Sequence, residues 1–288
     1  MSAAEIIERE RRWATPVGIL TILAVALFAG SLVVLASSFG GEGNAELLRK
    51  VDQDSGTFLL AYVLRGLGAV LLAAPLVYLF SAVDARSDRT RSQLIGLMIA
   101  GPVFLAAFAL FDALSIIDAA PDFADRENLG NGDRADEIAE DTINDASLRD
   151  VAAGFGFAGT LGFAIGLTYT CYHAMQVGLL TRFWGALGAA LGVASIIFFQ
   201  YTLLWIAYLG LLIGGWTPRG RPPAWAAGEA VSWPTPGERA AESLQGEEEP
   251  DEAGEPRTAP EPSGETDAGD QSADKPASGP RRKRKRRS

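Results

Sequence analysis

Two ionisable side chains stand among apolar neighbours. Arg65 interrupts "FLLAYVLRGLGAVLLAAPLVYLF", residues 58–80, and Asp112 interrupts "ALFDALSII", residues 109–117. A guanidinium and a carboxylate can neutralise each other, hold a counter-ion or contact a charged solute. In a bilayer each costs roughly 2.5–3.5 kcal/mol at the centre, so each needs water or an opposite charge. Counted from Thr57, Arg65 lies about 12 Å below one membrane edge, and Asp112, counted back from Ile117, about 8 Å below the same edge. The matching depths predict an Arg65–Asp112 pair. Two alternatives stay open. Arg65 snorkels to the interface while Asp112 is hydrated, or the two contact a transported ion or substrate. Gln200 and Tyr201 fall in the same half of the last apolar run and extend this intramembrane polar cluster.

Other chemistry is sparse. Cys171 and His173 are the only cysteine and histidine, too few for a zinc site of the His/Cys kind and for an internal disulfide. His173 could relay protons, but no acid partner is evident, so a hydrogen bond within the bundle is the plainer expectation. The chain lacks HExxH, GxSxG, a phosphate-binding loop, and a GxGxxG with an acidic partner. No catalytic residue, metal or cofactor is therefore implied. The acidic stretch Asp118–Asp150 lacks EF-hand spacing and reads as a solvated loop, with a short helix within "DRADEIAEDTINDASLRD".

The elements that position these residues are long apolar blocks, which a soluble protein would break into amphipathic patterns. Five exceed the roughly 20 residues needed to cross a bilayer: Ala14–Ser37, Thr57–Val83, Leu94–Ile117, Val151–Gly178 and Phe183–Gly215. Helix is expected because backbone groups cannot go unpaired in lipid. The fold class is an all-α polytopic transmembrane bundle of five helices, or six if the last run divides. That run is long, but "SIIFFQYTLLW" offers no Gly, Pro, Asn or Asp for a turn, so a single tilted or projecting helix is expected. The first run, with a core near 20 residues, reads as an uncleaved helix.

Small residues supply the helix contacts. Gly154, Ala158, Gly162 and Gly166 recur at every fourth position, as do Gly188 and Gly192. Such stripes let helices approach closely enough for dispersion contacts. They predict an antiparallel pairing of the fourth and fifth helices, or contact with an oligomer mate or another membrane protein.

Residues 1–13 form an amino-terminal segment ahead of the first run. Arg9, Arg11 and Arg12 lie there, Arg86, Arg89 and Arg91 in the second connection, and Arg182 in the fourth. Together they predict a cytoplasmic amino terminus. Five crossings would then send the carboxyl end outside, against the vote of Arg219 and Arg221. Residues 217–237 are rich in Trp and Pro, and Trp216, Trp225 and Trp233 suit a membrane–water boundary on a stiff, extended segment. Residues 217–288 hold 11 of the 15 prolines, and from 238 onward the composition is too polar to offset the entropy of ordering. The end carries Arg281, Arg282, Lys283, Arg284, Lys285, Arg286 and Arg287, a cluster suited to anionic lipid or another polyanion.

The stretches "GLLTRFWGALGAALGVA", "RPPAWAAGEA" and "WPTPGERAA" resemble an uncharacterised family of actinobacterial multi-pass membrane proteins. The resemblance covers the helices and the segment just after them. It implies a bacterial plasma-membrane location and a helical bundle, and it brings no activity or catalytic residues. The function expected is that of a membrane scaffold that recruits partners, or alternatively a small transporter or channel subunit using Arg65 and Asp112.

Overall fold

The computed structural model describes residues 2–41, 43–87, 90–126, 132–218, 220–231 and 233, and for Arg126 the backbone alone. Among the described residues there is no strand. The helices are α1 (Ala3–Ser38), α2 (Asn44–Gln53), α3 (Ser55–Leu71), α4 (Ala73–Asp84), α5 (Ile95–Arg126), α6 (Asp133–Asp145), α7 (Arg149–Gln176), α8 (Arg182–Gly214) and the short α9 (Ala224–Ala227). Five stretches are long and apolar enough to cross a membrane: α1, α3 with α4, α5, α7 and α8. The outward faces carry Ile19, Val33, Leu60, Phe157, Ile165 and Leu204, all exposed. So wide an apolar exterior suits lipid as the surrounding solvent.

The second crossing runs from α3 into α4 through Leu72, whose backbone stays helical. Pro75 lies three residues on and has no N–H to give the preceding turn, which loosens the helix there.

The last run departs from expectation. Within α8, Phe198 leaves helical geometry, with φ −123° and ψ 54°. Beyond it the chain doubles back. The Trp205 indole Nε1 donates to the Trp184 carbonyl at 3.1 Å, although a straight helix would hold these residues about 31 Å apart. Thr202 Oγ1 donates to the Leu191 carbonyl, and the Trp184 and Tyr208 rings stack at 3.6 Å. The expected single tilted helix is therefore corrected to a helical hairpin. Residue Phe198 needs no glycine, because its negative φ is open to any L-residue. What holds the reversal is distant: Gly188, having no side chain, leaves room for the Trp205 ring. Each arm, 182–197 and 199–214, is about 24 Å long, short of the ~30 Å hydrocarbon core. One arm packs on α7 and the other on α1, with Phe199 at the apex 5.4 Å from both Phe28 and Phe163.

The glycine stripes are redistributed accordingly. Gly188 and Gly192 do face α7, against Cys171 and Thr168. The α7 stripe serves α5 instead of α8. A Cβ on Gly159 would lie 2.7 Å from the Leu105 nitrogen, and one on Gly162 would lie 3.1 Å from the Gly101 Cα. Gly166 meets Met98 of the same helix. Gly154 has open space around it and Ala158 is exposed, so the every-fourth-residue reading is corrected. At 3.6 residues per turn a four-residue step drifts round the helix, whereas 159, 162 and 166 stay on one face.

The hairpin brings the chain's later segment to the end of the bundle where it began. This basic end holds Arg9, Arg11 and Arg12 of α1, Arg86 after α4, Arg91, Arg182 and Arg221. The Arg86 guanidinium pairs with both carboxylate oxygens of Glu10, with side-chain exposures of 0% and 5%, and donates to the Ala224 carbonyl at 3.1 Å. Tyr78 donates to the Glu10 carbonyl. Beyond α8 the chain lies across the α7–α8 turn. Trp225 donates to the Leu179 carbonyl, Trp233 to the Leu180 carbonyl, and the Val231 N–H to the Val177 carbonyl. Gly178 makes that turn at φ 80°, with Val231 O where a Cβ would be. The expected extended interfacial segment is thus corrected in part: Trp216 is 47% exposed, but Trp225 is buried.

The opposite end is a helical cap. The short helix expected within the acidic stretch forms as α6, but it packs on the bundle and is not solvated all round, and α5 runs on to Arg126 before it. Ala135, Ala139, Thr142 and Ile143 form one buried face of α6, the spacing of an amphipathic helix. They pack with Leu48 and Val51 of α2 and with Phe123 of α5. Asp136 accepts from the Ala45 N–H, capping α2. Asp54 caps α3 by accepting from the Thr57 N–H at 3.0 Å, and the Thr57 hydroxyl together with that N–H holds its carboxyl below the usual carboxylate range.

Candidate functional site

The intramembrane polar groups meet where the cap joins the bundle. Phe108 and Asp112 lie on one stripe of α5, four residues apart. Tyr62 and Arg65 lie three apart on α3 and face them. Arg149 opens α7. Its Nη1 lies 2.7 Å from Asp112 Oδ1, with side-chain exposures of 38% and 13%. Asp112 therefore takes its ion partner from Arg149 rather than from Arg65. The Tyr62 hydroxyl is close enough to interact electrostatically with both Asp112 and Arg65. The Arg65 guanidinium lies over the Tyr62 ring, 4.8 Å from its centroid. The expected direct pair is corrected: Asp112 pairs with Arg149, and Arg65 lies over the Tyr62 ring. Depth arithmetic finds Arg65 and Asp112 at one level, but it cannot see which way each side chain turns, and Arg149 precedes the apolar run that was counted.

Two cavities flank this group. One of about 440 Å³ is lined by Asp112 and Arg149, with Asn44 and Glu140 from the cap helices. The second, of about 200 Å³, is lined by Arg65 and Gln200 together with Phe28, Leu105 and Phe199. Phe108 lines both. Gln200, beside the hairpin apex, therefore lines the same cavity as Arg65. Tyr201 turns away and is 62% exposed on the lipid side. A carboxylate, two guanidiniums, a phenol and an amide can bind a small polar solute or an ion. They offer no nucleophile poised beside a base.

Away from the second cavity the interior is apolar and packed. Leu72, Leu76, Leu79, Met98, Phe163 and Leu167 are fully buried and belong to one apolar core. His173 lies nearer the basic end, its ring 4.4 Å from that of Tyr169 and 5.4 Å from that of Tyr172. Cys171 is buried against the first arm of α8. Among the described residues no three His, Cys, Asp or Glu side chains cluster in a way that could hold a metal ion. Arg89, Arg219, the acidic tail and the basic cluster 281–287 lie outside the described residues. Sequence reasoning missed the Glu10–Arg86 pair. Its only signal was an acid flanked by arginines just before the first apolar run.

Comparison of the chain with protein-family models, with curated proteins and with solved structures finds no match.

Proposed function

We propose that the chain is a multi-pass protein of a bacterial plasma membrane, kin to the actinobacterial family it resembles, and that it acts as a scaffold presenting its carboxyl-terminal tail to cytoplasmic partners. The observation that carries this reading is the α8 hairpin. By folding back, it releases the chain at the end where Arg9, Arg11, Arg12, Arg86, Arg182 and Arg221 gather. Short basic connections favour the cytoplasmic side, and the carboxylate-rich cap belongs on the other. This removes the conflict between five crossings and the basic residues after the last one. The packed apolar core favours a structural support over an open path. The amino terminus, the α4–α5 connection and the tail then share the cytoplasm, and the basic cluster 281–287 can reach anionic lipid or another polyanion there.

The test is a comparison of two lesions in cells. Truncation after residue 237 abolishes the scaffold's role while the bundle remains folded, and Arg65→Ala leaves that role intact. A second reading, a small transporter or channel subunit, is favoured by the paired cavities around Phe108. Under it Arg65→Ala removes solute flux in proteoliposomes and the truncation does not.

A further inference from the structure

At the seam between the cap and the bundle one negative charge is left without a partner. The cavity of about 440 Å³ there is walled by α2, α5, α6 and α7, and its ionisable side chains are Asp112, Glu140 and Arg149. Arg149 is already paired with Asp112 at 2.7 Å. Glu140 makes no hydrogen bond or ion pair with a described residue, and neither do the side-chain amides of Asn44 and Asn144, which line the same cavity. Arg65 lies over the Tyr62 ring and lines the other cavity. Two carboxylates against one guanidinium leave the lining with one net negative charge.

The helix ends point the same way. The positive poles at this seam are matched: Asp136 accepts from the Ala45 N–H at the start of α2, and Asp150 stands in the first turn of α7. The carboxyl-terminal end of α6 reaches the cavity through Ile143 and Asn144, with no basic residue in its last turn. That pole favours a cation. Size excludes a bare ion as the fitting occupant, because about 440 Å³ falls within the range of sites for small organic ligands. Nor do three His, Cys, Asp or Glu side chains group to hold a metal among the described residues. Opposite the polar groups stand Leu47, Phe108 and Ile116, which suit an apolar body.

We infer that this cavity binds a small organic amine in its protonated form. Its ammonium, with three donors, sits beside the Glu140 carboxylate and the amide oxygens of Asn44 and Asn144, and its apolar body lies against Leu47, Phe108 and Ile116. A free carboxylate finds no unpaired guanidinium here, so anions and amino-acid zwitterions are disfavoured. The site requires binding alone and not flux, so it holds for a scaffold as for a carrier.

The experiment is calorimetric titration of the full-length protein in phosphatidylcholine nanodiscs at low ionic strength. The probes are phenethylamine, 2-phenylethanol, phenylalanine and phenylacetate, which place one aromatic body under a cationic, neutral, zwitterionic or anionic head. Heat from uptake into lipid is measured with Ala153→Phe, whose added ring fills the cavity. Ala153 and Glu140 are both exposed, so their replacement leaves the bundle folded. The expected result is saturable binding of phenethylamine in preference to the other three, lost in Ala153→Phe. Glu140→Gln weakens it about ten-fold, as expected for one charge-assisted hydrogen bond. Glu137→Gln, an acid of the same helix outside the cavity lining, leaves it unchanged. The site is overturned by an absence of saturable binding, by equal or tighter binding of any other probe, or by equal losses in Glu140→Gln and Glu137→Gln, which would mean the diffuse field of the acidic cap. Failure here leaves the truncation test of the scaffold untouched, and failure of that test leaves amine binding standing.

Discussion

Removing one partner of the Glu10–Arg86 pair should strand a charge in the interior of the basic end. The Arg86 side chain is 0% exposed and that of Glu10 5%, so neither can turn to water without opening the α1–α4 contact. Breaking a buried pair from one side costs about 3–5 kcal/mol, because the remaining charge keeps its desolvation penalty. Arg86→Met should therefore destabilise strongly. For a bundle of this size each kcal/mol moves the melting midpoint by about 2–4 °C, so a loss on the order of 10 °C is expected. Glu10→Leu should cost a comparable amount. The double variant removes both charges and leaves two carbonyls, of Ala82 and Ala224, without the guanidinium they accept from. Each such loss is worth about 1–3 kcal/mol at most, and less where water reaches the carbonyl. The double variant should hence be more stable than the sum of the singles by at least 2 kcal/mol. The assay is thermal unfolding in mild detergent for the four proteins of the cycle. Additive losses would refute the buried pair.

Three further outcomes follow from the packing and the cap. Gly159→Leu should disrupt the α5–α7 contact, because its Cβ meets backbone at 2.7 Å, whereas Gly154→Leu should leave the melting point unchanged or slightly higher, the space there being open; equal losses would sink the assigned face. Arg149→Ala should cost about 1–2 kcal/mol, a figure reduced from that of a fully buried pair because the Arg149 side chain is 38% exposed, and Arg65→Ala should cost less; the reverse order, read by chemical unfolding, would restore the direct Arg65–Asp112 pair. Asp54 is held below the usual carboxylate range by its capping contact with Thr57. Its contribution to stability is then fully present above the unfolded value near 3.9 and fades as pH falls through the lower folded value. A carboxyl resonance of Asp54 titrating at or above the ordinary value would contradict the cap.

The crossings were legible because lipid leaves so few options: blocks of 20 apolar residues can be little else. The α6 helix was legible for a similar reason, its Ala135–Ala139–Ile143 spacing being a local property. Non-local facts were not. The reversal at Phe198 has no turn residue to announce it and is held by Trp205 reaching Trp184, a contact of residues 21 positions apart. Without that fold-back, the arginines after α8 argued against the count of crossings. The polar cluster was half legible. Its depth could be computed, so Arg65, Asp112 and Gln200 were named, but the rotation of each helix could not, so Tyr62 and Arg149 were missed and Tyr201 was wrongly included. The same limit misassigned the α7 stripe, where a four-residue repeat looked like a face and the true face follows Gly159, Gly162 and Gly166.

The return of α8 to the face where α1 begins can be measured directly by impermeant thiol labelling in a Cys171→Ala background, with single cysteines at Ser87, Thr217 and Asn144. Thr217→Cys should label from the same side as Ser87→Cys, and Asn144→Cys from the other. Labelling of Thr217→Cys together with Asn144→Cys would mean that α8 crosses the bilayer in one piece, and the hairpin would be wrong.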